Sequence, residues 1–393
     1  MAALGRLSAT LRDIDSNSFA DEDERLFAED MLLGALARVQ SPWDIAWNHN
    51  FVNATTHGAI KSLIDAGVFT KWAENGSKPE TSTSLAKMTD TDPILIKRLV
   101  RHLASHNLLV ETEEDTYEPS PWAKTLGTDQ AFPSIYGAFY SDIISVMSNG
   151  LPSFLKETGF KNPTDSKHGV IQHLQGPYES VFEYIVADPT RSKDFSCAME
   201  CHSRWNMTAW TDAYPTDILL KDAKLDRPLV VDVGGNKGHD LEKFWLKHPE
   251  IPDGSLVIED LPGILSEVEI TNKAILKQPY DFFTPQPLRG ARAYLVHKVL
   301  HDWSDEPAIK ILKNIAGGME KGYSKLLIHE NLVETVRPSR RTTASDMIML
   351  TYTTAAERTE TEWHKLVNAA GLKIVKIWKQ PTALDGVIEV DLA

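Results

Sequence analysis

The sequence predicts an α/β protein, a mostly parallel sheet covered on both faces, preceded by a smaller helical unit with a winged-helix outline. Three observations predict it. From Pro228 onward, short β-branched runs alternate with helical patterns, as in parallel strands joined by crossover helices. The apolar run at 229–233 passes into a glycine turn (Gly234, Gly235, Gly238) and then a helical pattern marked by Leu241, Phe244 and Trp245. Between Asn53 and Leu126, three helical stretches precede two short strands.

With 393 residues the chain is long enough for two or three domains. The expected division is a helical, winged-helix-like unit over 1–127, a helical linker and pocket segment over 128–220, and the α/β unit over 221–393. Hydrophobic content of 42% and charged content of 24% are those of a globular protein. A net charge of −14 disfavours nucleic acid and anionic membrane as partners. Cys197 and Cys201, four apart on an expected helix, are too few for a disulfide framework and lack the further ligands of a zinc site. With no apolar leader pattern and no long apolar run, a cytoplasmic protein without a metal is expected.

Residues 1–40 alternate acids with Leu26, Phe27, Met31, Leu32, Leu33 and Ala37 at helical spacing. Docking on the chain's own domain and contact with a second copy both remain open at this point. In the next unit a helix ends at Gly67, a second begins at Thr81-Ser-Thr-Ser, and a third begins at Asp92-Pro93 with Leu95, Leu99 and Leu103 on one face. The wing that follows is Glu113-Glu114-Asp115, which would repel phosphate, so a structural role is expected over DNA binding. Residues 131–220 carry many aromatics and methionines, among them Phe139, Phe182, Phe195, Met199, Met207 and Trp210. Plain core is the first reading of such a stripe.

The chemistry-bearing residues cluster after the expected strand ends. Asp260 ends the second strand and can accept hydrogen bonds from both hydroxyls of a ribose, while neighbouring Glu259 points the other way. Asp281-Phe282-Phe283 stands where a third strand should end, with an acid for an adenine amino group and an aromatic to cover the ring. His301 follows the strand-like run 294–300 and precedes a helix capped by Ser304 or Asp305. Glu330 ends the next strand at the same edge, and Glu357 sits before the capping box Thr359-x-x-Glu362. An imidazole supported by carboxylates can take a proton from a phenol as the oxygen attacks an alkyl sulfonium, a step needing alignment and a base but no metal.

The glycine stretch resembles the first motif of class I S-adenosylmethionine methyltransferases, with Asn236 in place of the middle glycine. Together with Glu259-Asp-Leu-Pro262, Asp281-Phe-Phe283, His301-Asp-Trp-Ser-Asp305 and Ala356-Glu-Arg-Thr-Glu360, the chain resembles caffeate-type O-methyltransferases and their fungal secondary-metabolite relatives over nearly its whole length. The resemblance implies a Rossmann-like cofactor domain and an N-terminal dimerisation domain, and it tips residues 1–40 towards a homodimer contact. It implies His301 as general base flanked by Glu330 and Glu357. It implies S-adenosylmethionine held by Asp232, Gly234, Gly235, Gly238, Asp260, Leu261, Asp281, Phe282, Phe283 and His297. The acceptor expected is a phenolic or enolic hydroxyl of a small metabolite such as a polyketide. Two alternatives stand beside it: a relative that keeps the cofactor but runs pericyclic or dehydration chemistry, and a non-enzymatic winged-helix regulator.

Overall fold

The computed structural model describes residues 3–12, 14–205, 208–266, 268–381 and 383–393, so Met207 lies outside the described residues. The chain divides into two units, Met1–Gly137 and Ala138–Ala393.

In the first unit, helices Asn53–Asp65, Val68–Glu74, Ser82–Thr89 and Pro93–Ser105 surround one core that includes Leu63, Phe69, Trp72, Leu85, Val100 and Tyr117. Each start has a local cause. Gly67 adopts φ 73° between the first two helices, while Thr81 and Asp92 accept backbone N–H bonds at the caps of the next two. Three short strands, β1 (Glu80–Thr81), β2 (Leu109–Glu113) and β3 (Thr116–Pro119), form an antiparallel sheet in the order β1-β3-β2. On the third helix the buried stripe is Ile96, Val100 and Leu103, and Leu95 is half exposed. The buried face is therefore centred on Ile96 and Val100, which flank the expected leucine stripe, with Leu103 shared and Leu95 and Ile94 turned outward. The N-terminal helices Ala3–Leu11 and Glu22–Val39 contain no buried residue.

The second unit is built on a sheet of β4 (Val230–Val233), β5 (Leu256–Asp260), β6 (Ile275–Pro279), β7 (Ala293–His297), β8 (Lys325–Val333), β9 (Arg358–Thr359), β10 (Leu372–Trp378) and β11 (Asp385–Leu392). Its order is β10-β11-β8-β7-β4-β5-β6, with β9 beside β8. The first strands run parallel and β11 lies antiparallel to both neighbours. Alternate residues serve opposite faces. Val231, Val233, Tyr294 and Val296 pack with helices Asp305–Ala316 and Glu360–Ala369, while Val230, Leu256, Leu295 and Leu327 pack with helix His239–Lys247 and Trp210. From β4 the chain proceeds through β5 and β6 to one side, then crosses to β7 and β8 on the other. The crevice outside the carboxyl ends of β4 and β7 is thus the topological switch point, where open α/β sheets bind ligands.

Candidate active site

The loop after β4 is shaped by what a side chain would strike. A Cβ on Gly235 would stand 2.6 Å from Asp232 Oδ2, and one on Gly234, at φ 77°, would stand 2.9 Å from Val299. Asn236 takes φ 50°, so asparagine fills a left-handed position that glycine would otherwise hold. Gly238, also left-handed, opens helix His239–Lys247. Asp260 at the end of β5 accepts the Asn236 and Leu261 backbone N–H groups at 2.9 and 2.7 Å, one on each oxygen. Glu259 turns the opposite way, as expected: it is buried and accepts from Gln286, and burial raises its carboxyl to about 7.

Asp232 is buried, and its Oδ2 has no hydrogen-bond partner. Burial, then the charges of Asp240 and Asp260, push its pKa well up. A buried acid with a free oxygen beside two further acids fits a cationic ligand, and S-adenosylmethionine carries both an ammonium and a sulfonium. The loop and Asp260 also fit the rest of that molecule, by close backbone approach and by oxygens retaining lone pairs for ribose. Phe282, Phe283 and Trp303 form an edge-to-face cluster with centroids 4.7–6.0 Å apart, and Asp281 accepts the Phe283 N–H.

His301 lies beyond the end of its strand. β7 stops at His297, Lys298 takes φ 52°, and Leu300–Asp302 form a 3₁₀ turn, which shortens the strand expected to reach Leu300. Two buried charged residues hold this turn from both sides. Glu330 Oε1 accepts the backbone N–H groups of Val299, Leu300 and His301 at 3.1, 2.8 and 3.3 Å. Arg358 donates to the carbonyls of Leu300 and Trp303 at 2.9 and 2.7 Å.

Glu357 is the direct partner of the imidazole, with its Oε1 3.0 Å from His301 Nδ1; Glu330 Oε2 is 3.8 Å away. That Glu357 oxygen also accepts from Asn331 at 2.6 Å and Ser345 at 2.7 Å. Asp302 lies 3.9 Å from His301 Nε2. Burial opposes charge on the imidazole, but Glu330, Asp302 and Glu357 outweigh it and raise His301 to about 9. Burial raises Glu357, and the imidazolium more than offsets it, leaving the carboxyl at about 2. Burial lifts Asp302 to about 6.

The triad of His301, Glu330 and Glu357 is thus brought together, as are the glycine loop and Asp260. His297 is placed differently from the loop residues: its Nδ1 lies 2.5 Å from Asp240 and its ring stacks on His329. Arg358, Asn331, Ser345 and Asp302 were not singled out by sequence reasoning. Arg358 stood within the motif Ala356-Glu-Arg-Thr-Glu360, which was read for its resemblance and its capping box but gave Arg358 no role of its own. Ser345 had no signal, because helix Arg340–Tyr352 brings it in from elsewhere.

Tyr352, within electrostatic reach of Asp302 in the histidine turn, joins a set of aromatics from the middle of the chain. Tyr352 packs with Phe182 and Phe195, and Phe195 with Phe139. Trp210, by contrast, is buried core stacked on Phe244. A cavity of about 470 Å³ adjoins the turn, bordered by Phe283, Asp302, Trp303 and Thr353 among others.

Comparison with known proteins bears on this arrangement. Residues 165–373, more than half of the chain, match the O-methyltransferase domain family. O-methyltransferase mfmE of Annulohypoxylon moriforme is 36% identical over 98% of this chain and 95% of its own length. The chain belongs to the O-methyltransferase family. O-methyltransferase asqD of Emericella nidulans is likewise 36% identical, over 84% of this chain and 85% of its own. In fold, the methyltransferase resembles LepI, solved in complex with SAM, at 22% identity and TM-score 0.87 with 99% of each chain covered. It also resembles OxaC in complex with SAH and oxaline, at 23% identity and TM-score 0.82, covering 99% of this chain and 97% of that one. The cofactor of the family is S-adenosylmethionine. Among the described residues no helix is long and apolar enough to cross a membrane.

Proposed function

We propose that the enzyme methylates a phenolic or enolic oxygen of a small, largely apolar aromatic metabolite, with His301 as general base. The observation that carries this reading is the imidazole set by Glu357 at the switch-point crevice, with its turn clamped by Glu330 and Arg358. S-adenosylmethionine, when bound, supplies an electrophilic methyl group on a sulfonium. Asp232, Gly234, Gly235 and Gly238 would receive its amino-acid end, Asp260 and Leu261 the ribose, and Asp281, Phe282 and Phe283 the adenine, with His297 at the edge. Positive charge in the crevice moves His301 back towards its neutral form, so that Nε2 accepts the acceptor's proton as the oxygen gains the methyl group. Glu357 then stabilises the imidazolium. A base titrating near 9 is well matched to a phenol of pKa about 10. Phe139, Phe182, Phe195 and Tyr352 support an aromatic acceptor. The bare apolar residues of helix Glu22–Val39 support a homodimer, and the low cysteine content supports a cytoplasmic setting.

The experiment is incubation with methyl-labelled S-adenosylmethionine and a panel of phenols and enolisable diketones. Label in product together with S-adenosylhomocysteine is the expected result; tight cofactor binding with no transfer to any acceptor would count against it.

A second reading rests on one observation. An imidazole held protonated at neutral pH can also act as an acid in dehydration, with the cofactor retained as a fixed charge. Turnover of a metabolite without S-adenosylhomocysteine release would favour it.

A further inference from the structure

One row of buried polar side chains, part of it at the edge of the cofactor crevice, keeps polar atoms that the proposed methyl transfer leaves unused. It crosses the carboxyl edge of the sheet beside the crevice, from Asp240 on helix His239–Lys247 through His297 of β7 and His329 of β8 to Asp385 of β11. His297 and His329 are register partners on adjacent parallel strands, so both rings emerge side by side, 4.2 Å between centroids. His329 and Asp385 are almost wholly buried, at 0% and 1% exposure. Yet both ring nitrogens of His329, Nε2 of His297 and Oδ2 of Asp385 have no hydrogen-bond partner. His329 Nε2 and Asp385 Oδ2 approach to 3.3 Å without the alignment of a hydrogen bond.

We propose that these residues build a zinc site, with His297, His329 and Asp385 as ligands and Asp240 orienting His297. Three arguments converge. One candidate ligand atom from each of the three residues lies within 4.8 Å of the others. Bonds of roughly 2.0–2.1 Å in a tetrahedron place ligand atoms roughly 3.3 Å apart, which is the His329–Asp385 separation. The His297 Nδ1 contact with Asp240 at 2.5 Å is the carboxylate–histidine pairing that fixes tautomer and direction in metal sites, leaving Nε2 for the ion. Imidazole and carboxylate together suit zinc better than magnesium or calcium. The two carboxylates balance the ion's charge. The nearby cation, Lys298, is hydrogen-bonded to Asn331, and His202 stands within electrostatic reach of Asp385. Three protein ligands leave one coordination position open. The site thus ties two strand ends, the middle of β8 and one helix together at the crevice edge, and it differs from the expectation of a metal-free protein.

The test uses the full chain, purified without a histidine tag, stripped with chelator and dialysed against zinc. Metal content by mass spectrometry should reach one zinc per chain, and cobalt in its place should give the intense visible absorption of a tetrahedral ion. His329→Gln should abolish the stoichiometric site, and Asp240→Asn should weaken zinc binding about 10–100-fold. Circular dichroism and cofactor binding, measured on each variant, report folding separately. If His329→Gln does not fold, Asp385→Asn takes its place with the same expected loss. Substoichiometric zinc after dialysis, or retention unchanged in folded variants, overturns the proposal. The outcome is independent of whether methyl transfer is observed.

Discussion

His301, Glu357 and Glu330 divide the work at the histidine turn in a way that separate substitutions can resolve. Replacing His301 with Asn removes the base, and turnover should fall on the order of 10²–10⁴-fold with cofactor affinity little changed, as read by steady-state kinetics and calorimetry. Replacing Glu357 with Gln removes the anion 3.0 Å from the ring, so the imidazole should lose its proton more easily. In the wild type, with the imidazole raised to about 9, kcat/KM should climb through an alkaline limb; in Glu357→Gln that limb should move to lower pH while the maximum falls. Glu330→Gln should act differently, since its carboxylate receives backbone N–H groups rather than the ring. An amide oxygen still accepts but without charge, so stability falls, and with the first of the charges that raise His301 gone the pH limb should also move down. Sequence pattern marked His301 and Glu330 by the expected strands they follow or end, and Glu357 by the capping box after it. It had no way to assign Glu330 to backbone and Glu357 to ring, since the register of β8 against β9 decides which carboxylate reaches the imidazole.

At the scale of elements, the strand–turn–helix order from β4 onward was legible because apolar runs and glycines repeat there with little interference. The end of β7 was not, because Val299 and Leu300 look like strand residues and fold into a 3₁₀ turn. What bends them is the long-range clamp by Glu330 and Arg358, invisible to local pattern. Arg358→Met removes the guanidinium that holds two carbonyls, at a cost of about 2 kcal/mol or more. Differential scanning calorimetry should show a Tm lower by roughly 4 °C or more, with kcat reduced more than KM is raised. The glycine turn can be tested in the same spirit. Gly235→Ala places a methyl 2.6 Å from Asp232 Oδ2, so cofactor affinity should drop at least tenfold by calorimetry. Unchanged affinity would mean that the loop does not approach the ligand.

For the whole molecule, two properties follow from groups already described. The His301–Glu357 pair contributes to stability over a defined window. His301 is raised from 6.5 to about 9, so its share is full below 6.5 and lost as pH rises through 9. Glu357 is lowered from 4.5 to about 2, so its share is full above 4.5 and lost as pH falls through 2. Denaturant unfolding should therefore show the wild type losing more stability between pH 6.5 and 9 than His301→Asn does. The second property is assembly. Phe27, Met31 and Leu36 are exposed on helix Glu22–Val39, more apolar surface than an isolated helix keeps in water. Sedimentation should report a dimer, and Met31→Glu with Leu36→Glu should shift it towards monomer. In the acidic wing Glu113-Glu114-Asp115, Asp115 accepts from Ser82 and pairs with Lys97, which ties the turn to the helices beside it.

The central claim is that His301 removes the acceptor's proton. It is tested most directly by single-turnover methyl transfer from labelled S-adenosylmethionine, comparing wild type and His301→Asn across pH 6 to 10 on one accepted phenol. The wild-type rate should rise with pH, and the variant rate should be at least about a hundredfold lower and follow only the ionisation of the phenol. A variant that transfers methyl at the wild-type rate with the wild-type pH profile would contradict it.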